Sequence, residues 1–81
     1  MDVKTLRAAK NEQPFKPFVV TFVDGRRFDI PHSDFLSINP NGRSAVVYKA
    51  DGSYSVVEPL LIQSIDYNVP TTTNGSSPPS A

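Results

Sequence analysis

The sequence predicts a mainly β domain with one N-terminal helix, closed as a small five-stranded antiparallel barrel. Three observations lead there. Short runs of β-branched and aromatic residues recur along the chain, Asp-Gly falls twice between such runs, and only the first dozen residues carry helical spacing. Short twisted strands with apolar residues on both faces would leave backbone edges and aromatic rings in water if the sheet stayed flat. Closure relieves both.

The helix comes first. In DVKTLRAAKNEQ, Val3, Leu6 and Ala9 fall on one stripe while Lys4, Arg7 and Lys10 point elsewhere. Asp2 is the expected cap and Pro14 the stop, because a residue before proline is pushed out of helical geometry. So thin an apolar stripe must lean on the rest of the domain. The cationic face is read as solvated surface. Pro14-Phe15-Lys16-Pro17 satisfies PxxP, but its phenylalanine and Phe18 are better used pinning the helix to the core.

The first strand is expected over Phe18–Val23 and the second over Arg26–Ile30, with Asp24-Gly25 between them. Glycine accepts positive φ without penalty, which makes Asp-Gly a strong hairpin signal. A two-residue turn sets Thr21 opposite Phe28 and Val19 opposite Ile30; a bulged three-residue turn shifts that register, and the sequence leaves both open. Asn39-Pro40-Asn41-Gly42 marks the next turn and Ala45–Tyr48 the third strand. Asp51-Gly52 repeats the hairpin signal before Tyr54–Val57. After the link Glu58–Ile62, Gln63–Tyr67 forms the fifth strand. The domain is therefore expected over residues 1–68. From residue 69 to 81, VPTTTNGSSPPSA has too few apolar side chains to offset the entropy of ordering and is expected to be a disordered tail.

Composition narrows the function classes. A core of roughly 65 residues buries only about 60% of its unfolded surface, so stability is small unless partner subunits add burial. Eight basic and eight acidic side chains cancel, leaving no overall field for nucleic acid or an anionic membrane. The absence of cysteine removes disulfides, thiolate nucleophiles and Cys-based zinc sites. No apolar run has the length of a signal peptide or a bilayer span. These features suit a cytoplasmic protein.

His32, the one histidine, lies between Asp29 and Asp34. Metal ions need three or four converging donors, and neither a second histidine nor a cysteine exists to complete a transition-metal set. Ser33 follows His32 directly, and neighbours along an extended strand face opposite sides, so a nucleophile–base pair is poorly placed. His32 reads as a polar edge after a proline, able to contact a partner. Asn41-Gly42-Arg43-Ser44 lacks the spacing and lysine of a phosphate loop. Lys16, Arg26, Arg27 and Arg43 are the basic candidates for RNA or another anion, with Phe28 or Tyr48 available for stacking. Leu60, Leu61 and Ile62 exceed what so small a barrel encloses and are candidates for self-association.

The order of helix, PFxPF lead-in, VTFVDGRRF hairpin and short turn before the last strand resembles the Sm-like fold, in particular Hfq-like RNA chaperones among SH3-like small barrels. In that family the link before the last strand carries a Lys-His pair that contacts RNA; here the link reads Glu58-Pro59-Leu60-Leu61. The chain also resembles a group of short bacterial proteins sharing LRxA, PFxPF and DGRxFxxPHxDF, carried here by Leu6, Phe15, Phe18, Gly25, Phe28, His32 and Phe35. That second resemblance brings no activity with it. The expectation is a non-enzymatic interaction module without cofactor, a protein partner or a second copy binding to it; the alternative is a weak Sm-like RNA binder.

Overall fold

The computed structural model describes residues 1–67, so the expected tail at 69–81 lies outside the described residues. Helix α1 runs Val3–Lys10. The strands are β1 Phe18–Phe22, β2 Arg27–Ile30, β3 Leu36–Ile38, β4 Ala45–Tyr48, β5 Tyr54–Val57 and β6 Ile62–Tyr67. They form two separate three-stranded antiparallel sheets, ordered β2-β1-β6 and β3-β4-β5.

This arrangement corrects the expected five-stranded barrel: there are six strands among the described residues, and neither sheet closes. The strand the sequence reading missed, β3, is three residues long. The physical reason lies at Pro31. Proline supplies no N–H for a ladder, and the following residues Ser33–Phe35 tighten into a 3-10 turn whose Phe35 N–H donates to the His32 carbonyl. The chain therefore leaves β2 before that strand acquires a second neighbour, and it begins a new sheet with β3.

The helix is shorter than expected. Asp2 caps it as read, accepting from the Thr5 N–H at 3.1 Å, but it ends at Lys10 with Asn11 as C-cap, ahead of Pro14. Leu6 and Ala9 are its buried residues. They join Phe18, Val20, Phe22, Phe28, Ile30, Leu36, Ala45, Val47, Val57 and Ile62 in one apolar cluster drawn from the helix and both sheets. Partly buried Phe15 packs against this cluster and lies 5.8 Å from the Phe18 ring, so the PFKP segment does tie the helix to the core.

Both Asp-Gly turns adopt the bulged form. In the first, the Gly25 N–H donates to the Phe22 carbonyl, the Phe22 N–H donates to Arg26, and Val20 stands opposite Phe28. The second repeats this around Lys49, Gly52 and Ser53. Asp24 and Asp51 each accept from the backbone N–H two residues on. Gly25 and Gly42 both have positive φ, 94° and 74°, but they differ in surroundings. Around Gly25 there is open space, whereas a Cβ on Gly42 would sit 2.9 Å from Val3 Cγ1 of the helix.

Gly25→Ala is therefore expected to cost about 1–2 kcal/mol from backbone strain alone. Gly42→Ala is expected to cost more, with the excess shrinking in a Val3→Ala background; urea denaturation of the four variants checks this. The carboxyls of Asp2, Asp24 and Asp51 are each held below their ordinary 3.8, chiefly by the Thr5 N–H, the Arg26 N–H and the Ser53 hydroxyl respectively. A carboxyl depressed in the folded state stabilises above its unfolded pKa, and that contribution is lost as pH falls through the lower folded value. Stability should accordingly be level near neutrality and fall below about pH 4. Asp24→Ala combined with Asp51→Ala should flatten that decline in urea midpoints measured at several pH values.

Candidate functional site

Because β2 stops at Ile30 and the chain swings away, its outer side faces a cleft rather than another strand. The cleft measures about 360 Å³ and is lined by Arg27, Phe28, Asp29 and Pro31 on one side. Phe35, from the 3-10 turn, and residues 47–50, from the end of β4 and the turn after it, form the other. Its floor is apolar because strand alternation turns Phe28 inward while Arg27 and Asp29 point out, and because Val47 belongs to the shared core.

The pairing of β1 with β2 fixes which backbone groups face this cleft. The Phe22–Arg26 pair is hydrogen-bonded at 2.8 Å, so alternation in an antiparallel ladder makes Val20–Phe28 and Phe18–Ile30 the next bonded pairs. Arg27 and Asp29 then direct their N–H and C=O groups away from β1, to the open edge. Among the described residues, no other backbone group takes them up.

Charge is arranged around one ring. Lys49 Nζ lies 5.6 Å from the Phe28 centroid and the Arg26 guanidinium carbon 5.8 Å from it, while the same Arg26 is 5.5 Å from Phe22. Arg26 also bonds Asp24 through Nε at 2.9 Å. Asp51, at the turn after Lys49, is held ionised mainly by Ser53, with a smaller contribution from Lys49.

The four basic residues nominated by sequence do not share this site. Arg27 lines it. Arg26 is paired with Asp24, and Lys16 sits 3.6 Å from Glu12. Lys16 precedes the Phe18–Ile30 end of the hairpin, whereas Arg26 is at its turn end. Arg43 lies in the β3–β4 turn, next to the glycine that abuts Val3. Lys49 was not nominated, although its place beside an Asp-Gly turn mirrors that of Arg26 and offered a signal. His32 is exposed and stacks on Phe15, with centroids 6.4 Å apart and planes 8° from parallel. Among the described residues no three His, Asp or Glu side chains converge to hold a metal ion.

Two further groups of exposed apolar residues lie outside the cleft. Of the nominated segment, Leu60 is 72% and Leu61 43% exposed, but Ile62 is buried at 3% and belongs to the core. Val23 adjoins Leu61, since its N–H donates to the Leu61 carbonyl. On the other sheet, Tyr48 and Tyr54 face each other across β4 and β5 with rings 6.2 Å apart, and Val46 stands opposite Val56. Tyr54 and Val56 are about two-thirds exposed. The sequence marks Tyr54–Val57 as a strand, but its alternation does not say that the outward positions are the apolar Tyr54 and Val56.

No described helix is long and apolar enough to cross a membrane. No protein-family model, curated protein or solved structure matches the chain.

The stack of His32 on Phe15 makes His32→Ala expected to lower stability by no more than about 1.5 kcal/mol, the range of an aromatic pair. A larger loss in denaturant titration would mean that the imidazole holds something more than this contact.

Proposed function

We propose that this chain is a non-enzymatic interaction module that associates with a second copy of itself through β5. The observation that carries the reading is the state of that edge. Exposed sheet edges invite pairing unless they are short, charged, bulged or covered, and among the described residues three of the four edges have such a device. β2 alternates Arg27 and Asp29 and runs into Pro31. β3 has three residues, and the end of α1 flanks it through Arg7, Lys10 and Asn11. β6 carries Asp66 and a register shift opposite Thr21 and Phe22. β5 reads Tyr-Ser-Val-Val and has none.

Its geometry suits a two-fold contact. Lys49 and Ser53 are hydrogen-bonded partners, so alternation sends the backbone groups of Tyr54 and Val56 outward from β5. An antiparallel pair of β5 strands centred on Ser55 sets Tyr54 of each copy opposite Val56 of the other. Aromatic against β-branched is a favourable cross-strand combination. The outer faces, with Val46 and Tyr48, then join into one continuous apolar strip whose neighbouring side chains shield one another across the seam. Two-fold closure is the commonest symmetry for such contacts, and a domain this small gains proportionately from the added burial. Leu60 and Leu61 are exposed but lie outside β5, in the turn before β6, and the two-fold contact does not need them. The Sm-like RNA reading has less support, since only Arg27 of the four basic residues lines the cleft.

Light scattering and sedimentation over a concentration series test the proposal. A dimer is expected that responds little to salt, because its contact is apolar. Val56→Asp should weaken it by roughly a hundredfold or more, since the two-fold places the substitution in the contact twice. Gln63→Lys on β6 should leave the mass unchanged. A monomer at every concentration up to about 1 mM, or a dimer indifferent to Val56→Asp, overturns the reading.

A further inference from the structure

The cleft beside β2 differs from the β5 edge in one decisive way: it is recessed. The outward N–H and C=O groups of Arg27 and Asp29 face a space whose far wall is Phe35 and residues 47–50. A cleft of about 360 Å³, walled by β2 on one side and by Phe35 and residues 47–50 on the other, leaves less room for the edge of a second folded sheet than the open side of β5 does. A single extended segment, with nothing behind it, needs less.

We propose that this cleft accepts one extended peptide from a partner protein, added antiparallel to β2. The side chains around the edge specify the chemistry of the segment. Main-chain bonds to Arg27 and Asp29 supply the strand addition. The peptide residue opposite Phe28 points, like Phe28, to the apolar floor shared with Phe35 and Val47. Its two neighbours stand opposite Asp29 and Arg27 on the outward face, where opposite charges pair favourably. Read from its N-terminus, the segment is basic, apolar, acidic, and Lys49, over the Phe28 ring, adds positive charge on the far wall of the cleft. Neither Arg27 nor Asp29 nor Lys49 is in a salt bridge among the described residues. Lys49 does feel Asp51, which leaves the mouth only weakly cationic and favours a balanced peptide over a polyanion.

The test is a titration of the full isotopically labelled chain with the blocked peptide acetyl-Thr-Lys-Val-Glu-Thr-amide, followed by amide NMR. Saturable shifts are expected at Arg27, Phe28, Asp29, Tyr48 and Lys49, with slowed amide exchange at Arg27 and Asp29. N-methylation of the peptide at Lys and Glu removes the donors and should abolish binding. Arg27→Glu should weaken it roughly tenfold by turning attraction into repulsion. Four results overturn the proposal. They are no saturable shift at millimolar peptide, equal binding of the N-methylated peptide, equal binding after both charged residues are replaced by threonine, and Arg27 and Asp29 amides already protected in the peptide-free chain. The last would mean that the chain's own residues occupy the edge. Because Arg27 and Val56 lie on different sheets, Val56→Asp should leave peptide affinity unchanged, which separates this result from the dimer test.

Discussion

Pro31 cannot donate a backbone hydrogen bond, and most of what distinguishes this small domain follows from where that missing donor falls. Phe28 and Ile30 immediately before it are buried, so β2 is committed to the core on one face. By the same alternation the Pro31 nitrogen falls on the outer edge, where it offers no donor to a second neighbour, and the 3-10 turn that follows carries the chain to a new sheet. Two three-stranded sheets around one interior are the outcome. The edge left beside β2 and the cleft next to it belong to the same event.

What keeps two incomplete sheets together is a single cluster of apolar side chains to which every strand and the helix contribute. Helix α1 gives only Leu6 and Ala9, but it is also held from outside. Arg7 donates to the Asn39 carbonyl at 3.4 Å, and Val3 fits against the glycine in the same turn. The cationic face of the helix is thus partly engaged with the domain itself. With so little interior per residue, the exposed aliphatic and aromatic side chains of β4, β5 and residues 60–61 represent a sizeable share of the apolar surface. Covering them by association would compensate for the smallness of the core.

Local structure was legible in the sequence wherever one residue dictates backbone geometry. The Asp2 cap, both Asp-Gly turns and the Asn-Gly turn are of this kind, and the strands flanking them follow. Two matters were not legible. β3 is too short for alternation to register, and Leu36-Ser37-Ile38 reads equally as a loop. Closure into a barrel was inferred from the need to hide apolar faces, but hydrophobic pattern does not specify which strand edges meet, and Pro31 decided otherwise. The site shows the same division. Arg27 was identifiable as a charged position on a strand, but its placement across from Lys49 depends on the path of residues 31–35, which no local spacing encodes. Ile62 fell among the surface candidates because it continues an apolar run. Only the 3-10 turn at Pro59–Leu61 separates its buried side chain from the exposed pair before it.

The ring of Phe28 has a role that its burial alone does not convey. Arg26 comes to it from the first hairpin and Lys49 from the second, so one aromatic side chain is gripped by cations belonging to different sheets. Such contacts at accessible sites are worth about 0.5–1 kcal/mol each, far less than the interior beneath them. The two turns therefore hold the ring only lightly from outside, and its place between the sheets is set by the packed interior rather than by the charges at its rim.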